Sequence, residues 1–136
     1  MSFDMMQRVS VLIKKAYYAH ERYHVPATFA MLYHEDPLDV KELANFIRIS
    51  DQVMKLDPHH YFIIFAFTSA EDAYKASQNI LLDLDAYFNN RTSCIALDSF
   101  DPTLTPQNVI NRLKQIVSET QKHSFIRIET EEILDR

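Results

Sequence analysis

The sequence RISDQVMKLDPHHYFIIFAF, residues 48–67, predicts a β-hairpin at the centre of the fold. Residues 52–56 partly alternate between the two faces of a strand. Asp57 and Pro58 have the chemistry of a tight turn, because Pro fixes φ and Asp can bond to the backbone beyond it. Residues 61–67 are a nearly continuous run of aromatic and β-branched side chains, which is typical of a strand buried on both faces. The stretch therefore predicts a hairpin within a sheet, between two helical segments.

Helical and strand patterns alternate on both sides of this hairpin. The sequence predicts helices at residues 2–23, 37–49 and 69–88 and from Thr105 and Pro106 onward. Further strands are predicted at residues 27–33 and 92–97, and a last one directly before residue 129. Residues 129–136 are expected to form an acidic tail that is frayed or a short helical end. The order α-β-α-β-β-α-β-α-β indicates an α/β sheet with helices on its faces, and 136 residues are expected to form one domain, 1–136.

Capping residues and apolar spacing place the helices. Asp36 before Pro37 predicts a helix start. Ser69 predicts another, because two acidic residues follow it in the first turn of the helix. The predicted inward stripes are Met5, Met6, Val9, Leu12, Ile13, Ala16 and Tyr17 in the first helix, Val40, Leu43, Ala44 and Ile47 in the second, Ala73, Ala76, Ile80, Leu84 and Tyr87 in the third, and Val109, Ile110, Leu113, Ile116 and Val117 in the fourth.

Composition limits the class of protein. A net charge of −5 argues against a nucleic-acid partner, and the sequence has no apolar run that could cross a membrane, so the expected location is the cytoplasm. The one cysteine, Cys94, excludes an internal disulfide and is expected to be a small buried residue. The chain contains no glycine, which excludes the Gly-rich phosphate loops of Walker and Rossmann type.

The hairpin resembles that of GGDEF domains, the diguanylate cyclase family. Arg48, Ser50 and Asp51 match the family's R-x-S-D at the family's distance before the turn, and DPHHY at residues 57–61 occupies the GGDEF positions. Shorter similarities lie at residues 21–26, 41–44, 94–96 and 121–128. The resemblance implies an α/β (α+β), nucleotide-cyclase-like sheet of about five strands, and a role in bacterial cyclic di-GMP signalling.

The same resemblance implies a degenerate domain without cyclase activity. Active members hold magnesium with acidic residues in the turn and after the first strand, and they grip the guanine nucleotide with a long segment that this chain lacks. His59 and His60 replace the acids of the turn, and as neighbours on a strand they favour turn roles over shared metal ligation. Glu35 and Asp36 are candidate cation ligands, although a helix start explains them more simply. No catalytic residue, metal site or cofactor is therefore predicted.

Arg48 and Asp51 are the candidate ligand-binding residues. In the family, R-x-x-D at this distance forms an inhibitory site for cyclic di-GMP, and a guanidinium can clamp phosphate or guanine acceptors with paired bonds. Family sites also recruit a basic residue from the following helix, where this chain offers only Lys75. The alternative is that Arg48 and Asp51, three residues apart, bond only to each other.

Two further hypotheses concern the N-terminal helix. It is expected either to pack on the sheet or to serve as a dimerisation or docking helix, and both need the same apolar stripe. His20, Glu21 and His24 match the zinc-peptidase pattern H-E-x-x-H, but Pro26 places His24 at or beyond the helix end. A metal-dependent hydrolase is therefore the least favoured of the alternatives, after a regulatory, protein-binding domain and a cyclic di-GMP sensor.

Overall fold

The predicted order of elements is confirmed by the computed structural model, which describes residues 2–123 and 125–135. The helices are α1 (Phe3–Tyr23), α2 (Val40–Leu43), α3 (Ala70–Phe88) and α4 (Pro106–Gln121), the strands are β1 (Ala27–Tyr33), β2 (Gln52–Asp57), β3 (His60–Ala66), β4 (Cys94–Ser99) and β5 (Ile128–Thr130), and 3-10 helices follow α2 (Ala44–Phe46) and β5 (Glu131–Asp135). The fold class is thus a mixed α/β sheet with helices on its faces.

The sheet has the strand order β2-β3-β1-β4-β5. The predicted hairpin is β2–β3, with a register irregularity between Lys55 and Asp57. The middle strand is β1, which pairs antiparallel with β3 on one side and β4 on the other. Only the β4–β5 pair is parallel in the described sheet. Within the hairpin, β3 therefore lies next to the middle strand and β2 forms one edge of the sheet.

Strands β1 and β3 are each buried at five consecutive residues. Since consecutive strand residues point to opposite sides, both faces of these strands are buried. On β1, Phe29 and Met31 face α1 and α4, whereas Ala30 and Leu32 face α2 and α3. On β3, Phe62 lies in the same layer as Phe29, whereas Tyr61 and Ile63 lie in the layer of Ala30. The inward residues predicted for α4 are all buried, namely Val109, Ile110, Leu113, Ile116 and Val117.

The predicted helix at residues 37–49 is wrong in its start and its length. Helix α2 begins after Asp39, whose side chain accepts from the backbone of Lys41, and it covers one turn before a 3-10 turn continues it. The cause is Tyr61, whose hydroxyl donates to the carbonyl of Leu38 at 2.5 Å and accepts from the backbone N–H of Leu38 at 2.9 Å. These bonds hold Leu38 against the sheet and fully buried, so the segment after Pro37 cannot be helical.

Two of the predicted buried positions in helices are also wrong. Ala44 is exposed, because the backbone tightens into the 3-10 turn there. Tyr87 is exposed at the end of α3, where its ring contacts Phe46 edge-on at 5.7 Å. The buried stripe of α3 instead includes Ser77 and Leu81, which follow the helical period from the core side.

Several strand boundaries differ from the predicted ones, including the end of β4, which lies at Ser99 and not at residue 97. Strand β3 ends at Ala66, because Phe67 adopts a left-handed φ of 56°. Strand β4 begins at Cys94 and not at Thr92, whose backbone and hydroxyl are held by the Asn90 side chain. The predicted tail at residues 129–136 begins instead as strand β5, and its expected helical end is confirmed as the 3-10 helix Glu131–Asp135. Ser124, in the predicted segment 121–128, and Arg136 lie outside the described residues.

Candidate functional site

The two residues singled out from the sequence, Arg48 and Asp51, meet in a bidentate ion pair. The Arg48 Nε donates to one carboxylate oxygen of Asp51 at 3.0 Å, and Nη2 donates to the other at 2.8 Å. The Asp51 side chain is 1% exposed, whereas that of Arg48 is 51% exposed. The hydrogen bond to Asp51 raises the pKa of Arg48 above its ordinary value. The pair is thus a buried carboxylate beneath a half-exposed cation.

This pair also ties three elements together. Arg48 Nη2 donates to the carbonyl of Ala66 at 3.1 Å and to the hydroxyl of Thr68 at 2.5 Å. The backbone N–H of Ala66 donates to the Asp51 carboxylate at 3.1 Å. The start of β2, the end of β3 and the residues that lead into α3 are therefore joined through one ion pair. We call Arg48, Asp51, Ala66 and Thr68 the clip.

The surroundings of the clip decide what it can bind. Two apolar side chains beside it in sequence, Ile49 and Phe67, are exposed. Phe67 holds a left-handed backbone, which is unusual for a large side chain and often marks a functional or strained position. Lys75, the basic residue of the following helix, lies 3.9 Å from Glu71 with both side chains exposed. An acceptor-rich ligand can therefore approach the guanidinium, while the Asp51 oxygens are already bonded within the chain.

The turn at the family's signature position uses its carboxylate internally. One oxygen of Asp57 accepts from the backbone N–H groups of His59 at 2.8 Å and His60 at 2.9 Å, and the His60 ring lies 2.9 and 3.0 Å from the two oxygens. Burial acts to raise the pKa of Asp57, but these hydrogen bonds outweigh it and hold the pKa below its ordinary value. Asp57 thus replaces a glycine-based turn with side-chain capping.

Sequence reasoning missed a buried histidine behind this turn. His34 is fully buried, its backbone N–H donates to the carbonyl of His59 at 2.9 Å, and its Nδ1 lies 2.5 Å from the Ser93 hydroxyl. Its Nε2 has no partner among residues 2–123 and 125–135. Burial lowers the pKa of His34, which favours the neutral ring. The sequence carries no signal for this contact, because 59 residues separate His34 from Ser93.

Two partly buried ion pairs were also missed. Arg127 bonds to both carboxylate oxygens of Asp85 at 2.6 and 2.7 Å, across 42 residues of sequence. Arg112 bonds in the same manner to Asp98, both at 3.0 Å. Burial raises the pKa of Asp98 to about 6 in spite of Arg112. A helical-wheel comparison does not reveal such pairs, because each joins elements that meet only in the folded sheet.

The remaining candidates behave as structural residues. His24 is the left-handed C-cap of α1 and so leaves the helix, while the His20 ring packs on Phe100 at 4.7 Å and lies 3.3 Å from the carbonyl of Val25. Burial raises the pKa of the Cys94 thiol to about 11, which disfavours the nucleophilic thiolate.

Glu35 and Asp36 are both exposed after β1, where Asp36 accepts from the Asn90 amide at 3.1 Å. Within the described part of the chain, no three His, Cys, Asp or Glu side chains come together as a metal cluster. None of the helices described there is both long and apolar enough to span a bilayer.

Similarity to solved structures identifies this architecture. The chain has the GGDEF fold. The GGDEF domain of DgcB from Caulobacter crescentus, solved in complex with c-di-GMP, superposes with a TM-score of 0.70 at 12% identity, over 90% of this chain and 85% of that one. The GGDEF domain of FimX from Pseudomonas aeruginosa gives a TM-score of 0.67 at 15% identity, over 88% and 89% of the two chains.

A third GGDEF-fold neighbour is longer than this chain. The diguanylate cyclase SiaD of Pseudomonas aeruginosa, solved in complex with its activator SiaC, gives a TM-score of 0.68 at 11% identity. The match covers 90% of this chain but 56% of SiaD. No family model matches the sequence. A search of curated proteins finds no significant match. The GGDEF resemblance read from the hairpin is therefore confirmed at the level of the fold.

The clip predicts a measurable loss of stability on neutralising its buried carboxylate. We expect Asp51→Asn to lower the free energy of unfolding by about 1–3 kcal/mol, because an amide –NH₂ would face the Arg48 donors inside the fold. Urea unfolding followed by circular dichroism measures this change. The control is Asp83→Asn, an exposed position on α3, for which a change within about 0.5 kcal/mol is expected. Equal urea midpoints for the two variants would contradict the structural role of the clip.

Proposed function

We propose that this chain is a regulatory domain that has the GGDEF fold, does not synthesise cyclic di-GMP and acts by binding protein, beginning with a second copy of itself through α1. The observation that carries the non-catalytic part is the state of the signature turn. Asp57 is the one acidic residue at residues 57–61, and its carboxylate is engaged by the backbone N–H groups of His59 and His60 and by the His60 ring. A carboxylate so engaged is a poor ligand for magnesium, which needs free oxygens in octahedral geometry.

The interaction part of the proposal is supported by the outer face of α1. Val9 and Ile13 bury the inner face against the sheet, as expected for a packing helix. The same helix leaves Phe3, Val11, Tyr18 and Tyr23 exposed. Val11 and Tyr18 are seven residues apart, so they lie on one side of the helix, and large exposed apolar side chains on one side mark an association surface. Among the structural neighbours, SiaD was solved with an activator protein.

The first expected outcome concerns catalysis. Purified protein incubated with GTP and Mg²⁺ or Mn²⁺ should form no cyclic di-GMP above a protein-free blank, because the turn has no free carboxylate to hold the metal. Mass spectrometry of the nucleotide fraction measures the product. Product that requires the metal and disappears in Asp57→Asn would overturn the proposal that the domain is non-catalytic.

The second expected outcome concerns self-association. Sedimentation equilibrium should show a mass that rises with concentration toward twice that of the chain, and Tyr18→Asp should return it to the monomer, since a buried charge opposes an apolar contact. Leu82→Asp, an exposed apolar position on α3, serves as the matched control and should still dimerise. A wild-type protein that remains monomeric at about 0.5 mM, well above typical dissociation constants, would remove the self-association part of the proposal.

A second candidate function is a cyclic di-GMP sensor that uses Arg48 and Asp51. What favours it is the geometry of the clip, in which Asp51 holds a half-exposed guanidinium in one orientation, so little side-chain entropy remains to be lost on binding. The GGDEF domain of DgcB was solved with this dinucleotide. In this chain Asp51 would act by orienting Arg48, because its own oxygens are occupied.

Titration calorimetry with cyclic di-GMP tests the sensor candidate. We expect the wild-type protein to bind with a micromolar dissociation constant. Arg48→Ala should weaken the affinity roughly tenfold or more, because a charge-assisted bond to phosphate or guanine is removed. Arg48→Lys keeps the charge but not the paired geometry and should weaken binding less, whereas Lys75→Ala should leave binding unchanged. Circular dichroism of each variant checks that the fold is intact. Absence of heat with the wild-type protein, or equal affinity in Arg48→Ala, would remove this candidate.

A further inference from the structure

A cavity of about 700 Å³ lies between α3 and the segment that leads into β5. One wall is a single face of α3, with Tyr74, Gln78, Leu82 and Asp85 at helical spacing. The other wall is the chain at residues 125–128. The volume falls within the range of small-molecule sites, which is roughly 300–1,000 Å³. The clip at Arg48 is separate from it, because none of the clip residues lines this cavity.

Exposed apolar side chains form part of the lining of this cavity. Tyr74, Leu82, Phe125 and Ile126 are all large apolar side chains that are exposed, and all four line it. Phe125 is the most exposed of the four, at 95%. Two rings and two aliphatic side chains on facing walls can enclose a flat apolar group, which would be removed from water on both sides.

The charges that line the cavity leave one cation uncompensated. Arg127 holds both oxygens of Asp85 at 2.6 and 2.7 Å and also donates to the Ser93 carbonyl at 2.8 Å. This pair is nearly buried and is neutral overall. Arg91 reaches the same carboxylate only at 4.0 Å, and its side chain is 80% exposed. The cavity therefore has a net positive charge, carried by an accessible guanidinium at its edge.

Arg91 and Arg127 also line a second cavity of about 330 Å³. That cavity is more polar and includes Ser93, Gln121, His123 and one carboxylate, that of Glu35. The shared arginines place the two cavities side by side, so an anionic group at Arg91 has the polar side chains of the second cavity on one flank and the exposed apolar side chains of the first on the other. Gln78 and Asn79 add amide donors and acceptors along the α3 wall.

We propose that the cavity between α3 and residues 125–128 binds a small planar organic anion. The aromatic part of the ligand lies between Tyr74 and Phe125, against Leu82 and Ile126, and its phosphate or carboxylate bonds to Arg91. A guanidinium pairs with either anion through two parallel bonds. The single uncompensated charge and a volume of about 700 Å³ favour this occupant over an extended peptide, which would need a longer groove. This inference is independent of the cyclic di-GMP and self-association proposals, since it uses neither Arg48 nor α1.

The test uses 1-naphthyl phosphate as the probe, followed in ¹H–¹⁵N correlation spectra of the whole chain. We expect saturable shifts at residues 74–85, 91 and 125–128, with a dissociation constant below about 1 mM for a ligand of this size. 1-Naphthol should bind roughly tenfold more weakly, since it lacks the charge, and inorganic phosphate should not saturate. Arg91→Gln should weaken the probe by a similar factor, and Leu82→Asn should weaken both aromatic probes.

Matched controls separate this site from general surface binding. Lys114→Gln removes an exposed cation on α4 that does not line the cavity, and it should leave the affinity for 1-naphthyl phosphate unchanged. Shifts confined to the clip, no shifts at about 5 mM probe, or equal affinity in Arg91→Gln would overturn the proposal. It would also be overturned if the cavity residues shift on dilution without probe, because a second copy of the chain would then be the occupant.

Discussion

The structure depends on β1, the middle strand of the sheet. It pairs with β3 on one side and β4 on the other, and helices bury both of its faces. Side chains alternate along this strand, so Phe29 and Met31 join α1 and α4 in one apolar layer and Ala30 and Leu32 join α2 and α3 in the other. Each helix gains its stability by covering one of these faces, since amphipathic helices of this length are marginal alone. The hairpin, the clip and the cavity beside α3 are all positioned by that two-layer arrangement.

A chain with no glycine has to form its turns by other means. Left-handed backbone is carried by His24, Phe67 and Asn89, at the end of α1, after β3 and at the end of α3. Asn tolerates this conformation well, whereas a phenylalanine there is uncommon and its strain must be offset by the surrounding bonds. The clip supplies those bonds immediately before Phe67. The hairpin turn is closed by the Asp57 carboxylate. Conformations that glycine usually provides are here maintained by hydrogen-bonded side chains.

Several acidic residues are likewise held by hydrogen bonds within the chain. Although the net charge is −5, the carboxylates of Asp51, Asp57, Asp85 and Asp98 are each bonded to donors of the chain itself. Removing such groups from water is unfavourable unless their acceptors are satisfied, which explains the paired geometry of the arginines. Two accessible surfaces combine a cation with apolar side chains: Arg48 with Ile49 and Phe67, and Arg91 with Leu82 and Phe125. The ligand-binding proposals made above rest on these two surfaces.

The sequence by itself determined the order of helices and strands and the hairpin at residues 48–67, because each follows from periodicity, capping or turn chemistry within a few residues. It offered the pairing of Arg48 with Asp51 as one of two alternatives, since the two residues are three positions apart. It also carried enough of the GGDEF pattern to indicate the fold. The break at Leu38, the burial of His34 against Ser93 and the Asp85–Arg127 pair were decided only by the tertiary structure. Each joins residues that are 23 to 59 positions apart, and local propensity contains no term for such contacts. The cavity beside α3 belongs to the same class, since its walls meet only when β5 is placed at the edge of the sheet.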